Sequence, residues 1–279
     1  MSVKIIVDST VDLSPELKDR FKIVPLAVRF GEEEYLDGVT IDSKTFYEKL
    51  AASSELPTTS QPTPVSFEET YEEVTADGSQ AVVITIAAAL SGTYQSATIA
   101  AEEFPGKVFV VDSRSAAIGA GILAQYALTL ADQGMDGQQI LEELIRVRTQ
   151  IRLCFMVDTL EYLKKGGRLN AAVAVVGGLL NIKPILQIEA PGEIKMLSTA
   201  RGMKKAFSSL NDLADKFGGP DSARPMLLGY TGVSSENLNK YQEESASAWA
   251  SGSPVAHIGS AIGVHVGPGA VAFAFFAAE

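Results

Sequence analysis

The sequence predicts an α/β protein, with an N-terminal α/β domain built on a parallel sheet and a C-terminal α+β domain. Three short apolar runs in the first half, each ending in Ser, Thr or Asp, carry this prediction: VKIIVDST (3–10), AVVITIAAALSGT (81–93) and KVFVVDSRS (107–115). Consecutive apolar positions are typical of strands buried on both faces, as in parallel sheets. A helical pattern follows each run, and alternating strands and helices favour right-handed βαβ units.

The predicted helices of the first half cover residues 14–20, 93–104 and 116–133. DSKTFYEKL (42–50) and SFEETYEEV (66–74) also have the pattern of capped helices. Between them, prolines flank Thr58-Thr59-Ser60-Gln61, which predicts an ordered loop and neither a strand nor a helix.

The pattern changes near residue 153, which places the two domains at 1–152 and 153–279. A strand and a charged helical piece come first, followed by a predicted hairpin with strands at 182–189 and 194–197. Helices are predicted at 201–217 and 236–249, on either side of a strand at 226–230. The chain closes on a predicted strand pair within 256–277.

Composition narrows the functional classes. The net charge of −11 argues against a nucleic-acid partner, because phosphate binding requires a basic surface. No apolar stretch reaches the roughly 18–20 residues of a membrane span, and no signal peptide is visible, so we expect a cytoplasmic protein without stable membrane insertion. Two distant histidines and one cysteine predict no metal centre, and the dinucleotide and P-loop glycine motifs are missing, so no cofactor is expected.

The turn Ser91-Gly92-Thr93 is the sharpest candidate site. A predicted strand ends there and a helix begins, so free backbone N–H groups, a partial positive charge and the Ser91 hydroxyl could hold an anion. Gly92 would let the ligand approach the backbone. The turn itself contains no lysine or arginine, which points to neutral donors. The simpler alternative is that Ser91 only caps the helix.

Three further positions each have a functional and a structural interpretation. Thr59 belongs to a rigid set of hydroxyls that could face the same anion or bond their own backbone. His265, in a glycine-rich frame, could be a proton donor or charge partner, or a core histidine. Arg201 stands at a predicted helix start, where a cation is unfavourable, and so indicates an anionic partner or solvent exposure. Arg168 is better explained as a charge that complements the end of a helix.

Taken together, these segments resemble the DegV family of bacterial fatty-acid-binding proteins over nearly the whole chain. The resemblance rests on eight motifs in order: VDSTVDLS, LPTTSQPTP, ALSGTYQSA, VVDSRSAAIGAG, LEYLKKGGRL, LLNIKPIL, TARGMKKA and IGSAIGVHVGPGA.

The resemblance implies a long-chain fatty acid buried between the two domains. Thr59 and Ser91 would bond its carboxylate together with backbone N–H groups at Gly92, and Arg201 and His265 would lie near the head group. It also implies a partner, an ATP-dependent fatty-acid kinase that phosphorylates the carboxylate of the bound lipid, so that this chain presents substrate without turnover of its own. The segments 171–186 and 270–277 could line the tail, although ordinary core is the simpler interpretation.

Two alternatives remain open. One is a small-molecule phosphotransferase that forms a phosphorylated intermediate on His265. The other is a binding protein for a different small anion, with the apolar segments serving only as core.

Overall fold

The computed structural model describes residues 2–169, 181–245 and 252–277. Its strands, in chain order, are β1 (Val3–Asp8), β2 (Phe21–Val24), β3 (Ala27–Phe30), β4 (Glu33–Leu36), β5 (Thr58–Ser60), β6 (Gln80–Thr85), β7 (Val108–Asp112), β8 (Ile151–Met156), β9 (Ile182–Glu189), β10 (Glu193–Arg201), β11 (Met226–Tyr230), β12 (Val255–His257) and β13 (Val271–Phe276).

The helices within those ranges are α1 (Ser43–Ala52), α2 (Pro64–Thr75), α3 (Thr93–Ala101), α4 (Ala117–Asp132), α5 (Gly137–Val147), α6 (Glu161–Lys165), α7 (Met203–Lys216), α8 (Glu236–Glu244) and α9 (Ser260–Val266). Short 3-10 helices cover Pro15–Arg20 and Arg148–Gln150. None of these helices has the length and apolar character required to span a bilayer.

Three sheets organise these elements. The first is fully parallel with the strand order β2-β1-β6-β7, and a mostly antiparallel sheet has the order β10-β9-β8-β13-β11-β12. The small antiparallel sheet β4-β3-β5 carries Thr59 on its edge. The predicted fold class is therefore confirmed, whereas the domain boundary at residue 152 stays a prediction.

Helix α4 packs between the two large sheets. It contacts β1 and β6 on one side and β8, β11 and β13 on the other. Most of its residues are buried, as expected for a helix that is apolar on every face. The close contact between α4 and the segment after β1 requires a glycine, since a Cβ at Gly121 would lie 2.0 Å from the Asp12 carbonyl oxygen. The main hydrophobic core thus joins both halves of the chain.

Several sequence predictions need correction. The segment Thr58–Ser60 is an edge strand paired with β3, because flanking prolines are compatible with an edge position. The strands β2, β3 and β4 were not predicted. The closing segment contains helix α9 between its two strands, so His265 is helical. The predicted helix 236–249 ends at Glu244, and residues 246–250 lie outside the described part.

Candidate functional site: an apolar cavity with a polar end

A cavity lies between the parallel-sheet half and the C-terminal half of the molecule. Its apolar lining comes from both and includes Leu26, Ile86, Leu153, Phe155, Ile188 and Ile262. Its polar lining includes Thr59, Ser91, Arg168 and His265. A pocket of this kind favours a ligand with a large apolar body and a small polar group.

Ser91 lies in the turn between β6 and α3. Its hydroxyl oxygen accepts the backbone N–H of Thr93 at 3.3 Å and is 2.9 Å from the Thr93 hydroxyl. The side chain therefore bonds the first residue of α3, whose N-cap is Gly92, and also lines the cavity. The two interpretations of Ser91 are compatible, because a hydroxyl oxygen that accepts one bond retains its own O–H as a donor.

Thr59 and His265 form the central contact of the polar end. Thr59 Oγ1 is 3.0 Å from Nε2 of His265. The threonine is in the middle of β5, and the histidine is in the last turn of α9. A Cβ at Gly166 would lie 2.3 Å from Nδ1 of His265, so the imidazole occupies space that only a glycine leaves free.

His265 is neutral in this setting. Burial, with a smaller contribution from the nearby Arg168 guanidinium, lowers the pKa of the imidazole from 6.5 to about 4. Nδ1 is buried and has no hydrogen-bond partner within the described residues. At neutral pH the ring consequently acts as a hydrogen-bonding partner of Thr59 and carries no charge.

Arg168 supplies the positive charge that the Ser91 turn lacks. Its Nη1 donates to the Gly166 carbonyl at 2.6 Å, and its Nε donates to the Leu90 carbonyl at 3.3 Å. The bond to Gly166 agrees with the expected role at the end of α6. The structure brings Arg168 to the cavity next to Leu90 and Ser91, so a cation lies near the neutral donors of the turn, whose role in holding the anion stays a prediction. Its bond to Leu90, 78 residues away, gives no local sequence signal.

Buried carboxylates hold the other end of α9. Asp37 accepts the backbone N–H groups of Ser260 at 3.0 Å and Ala261 at 3.1 Å, and Asp12 accepts that of Gly259 at 2.8 Å. Burial raises the pKa of both carboxyls above the usual range. Because these aspartates follow β1 and β4, the N-terminal half fixes the helix that carries His265. Sequence reasoning missed both residues, although VDSTVDLS contains Asp12.

Gly92 is the N-cap residue of α3. A Cβ at this position would lie 2.2 Å from Oε1 of Gln61, whose Nε2 donates to the Ser96 hydroxyl at 3.0 Å. Gln61 thus covers the start of α3 from the side of β5. The missing side chain of Gly92 lets the β5 segment approach the turn that carries Ser91.

Arg201 is not among the residues that line the cavity. It is the last residue of β10 and is exposed, and α7 begins two residues later at Met203. The predicted helix start at Arg201 is therefore wrong, because pairing with Ile182 extends the hairpin strand to this point. Its role near a head group stays a prediction.

The cavity is narrow, with a volume of about 80 Å³. This volume is small beside the roughly 300–1,000 Å³ that is usual for pockets that bind small molecules. Ala270 and Ala272 supply lining from the predicted segment 270–277, whose other residues are buried in the core. Most of the predicted lining at 171–186 lies outside the described residues, since these resume at Asn181.

The polar end of the cavity has the chemistry of an anion site. Among the described residues, no group of three His, Cys, Asp or Glu side chains could hold a metal ion. The polar groups of the cavity suit one small anion. They are the hydroxyls of Thr59 and Ser91, the neutral imidazole of His265 and the guanidinium of Arg168.

The fold and this cavity define a class of α/β binding proteins with an apolar pocket closed by a few polar groups. The family model described as "Uncharacterised protein, DegV family" matches residues 2–278. The chain belongs to the DegV family.

Individual relatives are similar to this chain over almost its whole length. A DegV domain-containing protein of Deinococcus radiodurans is 36% identical, with 98% of each chain covered. A solved structure of a DegV family protein from Thermus thermophilus, described by its fatty acid binding, superposes with a TM-score of 0.88, 33% identity and 100% coverage of both chains. A stearic acid-binding protein from Eubacterium ventriosum gives a TM-score of 0.84 at 26% identity, covering 98% of this chain and 97% of the other.

Proposed function

We propose that this protein binds a long-chain fatty acid in the cavity and presents its carboxylate to an ATP-dependent fatty-acid kinase in the cytoplasm. The observation that carries the proposal is the pairing of an apolar cavity with a polar end built from Ser91, Thr59, His265 and Arg168. Fatty-acid binding by the relatives from Thermus thermophilus and Eubacterium ventriosum supports the ligand class.

Affinity would come mainly from the tail. Burying some 15 methylenes at roughly 0.8 kcal/mol each contributes on the order of 12 kcal/mol before the losses of ligand and protein freedom. The head group then needs only orientation. Ser91 and Thr59 would donate hydroxyl hydrogens to the carboxylate, with Gly92 leaving room for the backbone N–H groups of the turn.

The Thr59–His265 contact would set the direction of the threonine hydroxyl. If the neutral imidazole donates from Nε2 to Thr59 Oγ1, the threonine hydrogen is free to point at the carboxylate. A carboxylate held by two hydroxyls would keep lone pairs available for attack on the γ-phosphorus of ATP. The attack would form the acyl phosphate C–O–P bond and release ADP, with the kinase supplying the ATP site.

Arg168 would stabilise charge that accumulates as the acyl phosphate forms. Its guanidinium is anchored through Nη1 and Nε to two backbone carbonyls, which limits its freedom before the phosphate arrives. Arg201 would act from the exposed end of β10, and we assign it to the phosphorylation step and not to lipid binding. His265 would support the head group through Thr59.

Two other functions are less well supported. A phosphotransferase with a phosphorylated His265 would need an accessible ring nitrogen, whereas Nε2 is bonded to Thr59 and Nδ1 is buried against Gly166. A carrier of a small polar anion would not need the mostly apolar lining. Covalent phosphate on His265 would support the first alternative, and saturable binding of a sugar phosphate without lipid would support the second.

The first experiment is to denature the purified protein and analyse the released lipids by mass spectrometry. We expect a near-stoichiometric long-chain fatty acid enriched over the free pool of the host. A protein that releases none and also fails to take up added oleate or palmitate would contradict the proposal. Incubation of the loaded protein with the kinase and ATP should then yield acyl phosphate, trapped as the hydroxamate.

A further inference from the structure

A second cleft with three arginines lies beside the cavity. It is lined by Arg114, Arg148 and Arg152 together with Thr149 and Gln187, and its volume is about 160 Å³. All three arginines are half-buried. Such a concentration of positive charge is unexpected in a chain with a net charge of −11.

These arginines differ from the ion-paired arginines of the fold. Within the described ranges, Arg20, Arg29, Arg146 and Arg224 form ion pairs with carboxylates. The three arginines of the cleft form none there. Among the described residues, the three guanidinium groups share the cleft with two carboxylates: Asp112, which acts to raise the pKa of Arg148, and Glu189, which lines the cleft.

Both nearby carboxylates are engaged elsewhere. Asp112 accepts the backbone N–H groups of Ala88 at 3.2 Å and Arg114 at 2.9 Å. Glu189 lines the cleft but forms an ion pair with Lys195 at 2.9 Å. Neither carboxylate is bonded to a guanidinium of the cleft, so the site remains suited to an external anion.

Arg148 is the most constrained of the three. One Nη donates to the Asp112 carbonyl at 2.5 Å, and Nε is buried without a partner among the described residues. Burial and the neighbouring Arg114 guanidinium lower the pKa of Arg148. Two close cations and an unpaired buried donor are unfavourable in isolation, and an anion between them would relieve both.

Arg114 has a strained backbone. Its φ of +52° lies in the left-handed region, which is unfavourable for a non-glycine residue. Its guanidinium forms no hydrogen bond or ion pair with another described residue. Strain of this kind at a charged residue is common at binding sites.

We propose that this cleft binds a phosphate group, either free inorganic phosphate or the phosphoryl group of a small phosphomonoester. The planar guanidinium forks of Arg114 and Arg148 match the oxygens and the charge of a tetrahedral dianion. Arg152, whose Nη1 donates to the Thr149 carbonyl at 2.9 Å, adds a third positive charge to the lining. The site is separate from Ser91 and Arg168, so the inference does not depend on the proposed function.

The test is isothermal titration calorimetry of the full chain with inorganic phosphate at constant ionic strength. We expect saturable one-to-one binding that weakens at least tenfold in both Arg114→Gly and Arg148→Gln. Glycine accepts a positive φ without strain, so Arg114→Gly removes the cation without destabilising the fold, which a thermal melt will check. Arg20→Gln, which removes an exposed cation paired with Asp132, is the matched control and should bind within twofold of the unmodified protein.

Two further measurements identify the chemical form of the ligand and the site at which it binds. Methyl phosphate binding as tightly as phosphate identifies a phosphomonoester as the ligand, and weaker binding identifies the free ion. The Arg168→Gln variant should bind phosphate normally. The proposal is overturned if no saturable binding occurs, if Arg114→Gly binds like the unmodified protein, or if Arg168→Gln alone abolishes binding and so places phosphate in the cavity.

Discussion

The hydroxyl oxygen of Thr59 lies 3.0 Å from Nε2 of His265, although the two residues are separated by 206 positions in the chain. One belongs to an edge strand of the small sheet and the other to the last turn of α9. Because α9 is bonded at its start to Asp12 and Asp37, the contact depends on elements from both halves of the fold.

Ser91→Ala should weaken binding of oleate roughly 10- to 100-fold, since a hydrogen bond to a charged ligand contributes about 1.5–3 kcal/mol. Fluorescent fatty-acid displacement measures the change. Ser234→Ala is the matched control, because the Ser234 hydroxyl accepts the N–H of Glu236, the first residue of α8, at 3.1 Å in the same pattern, on an exposed surface. Equal losses in the two variants would assign Ser91 to helix capping alone.

His265 should stay neutral as the pH falls to about 4. The chain has two histidines, so NMR of the ring carbons can follow both, with a His257→Gln variant for assignment. Because the folded pKa is about 4 and the unfolded value is 6.5, only the unfolded chain binds a proton in this window. The free energy of unfolding should therefore fall from pH 6.5 to 4 relative to His265→Gln.

The comparison with His265→Gln isolates this effect. Burial raises the pKa of Asp8 to about 6, which acts in the opposite direction between pH 3.8 and 6, but Asp8 is common to both proteins. A His265 ring that titrates near 6.5 would show that it is exposed to solvent.

Gly166→Ala should displace the His265 ring, since the added methyl carbon would lie 2.3 Å from Nδ1. Overpacking of this kind costs about 1–3 kcal/mol, and we expect a lower melting temperature together with weaker oleate binding. In a His265→Ala background the same change should have almost no further effect, because the ring it displaces is gone. Additive effects in this double-mutant cycle would exclude the contact.

Arg201→Ala should leave oleate affinity unchanged and slow acyl-phosphate formation by about tenfold, as expected for loss of an exposed charge that acts at an interface. The two steps are measured separately, by equilibrium binding and by a kinase assay with loaded protein. Arg20→Ala serves as the control for loss of an exposed cation. Loss of lipid binding itself in Arg201→Ala would refute the assignment of Arg201 to phosphorylation.

The sequence contained the Ser91 turn in full, because a strand, a capped turn and a helix follow one another locally. It did not reveal the Thr59–His265 contact or the approach of Arg168 to Leu90, since both depend on packing between distant segments. The β3–β5 sheet was missed for a different reason. Its strands are three or four residues long and partly exposed, and β4 begins with two glutamates, so no apolar alternation marks them.

The most direct test of the account is the carboxyl resonance of [1-13C]oleate bound to the delipidated protein. We predict one sharp bound signal, shifted from that of free oleate, that moves in Thr59→Val and stays in place in Thr58→Val. The two threonines are neighbours on β5, but the side chain of Thr58 is exposed and does not line the cavity. A bound signal that both variants leave unchanged would show that the carboxylate lies elsewhere and would contradict the proposed site.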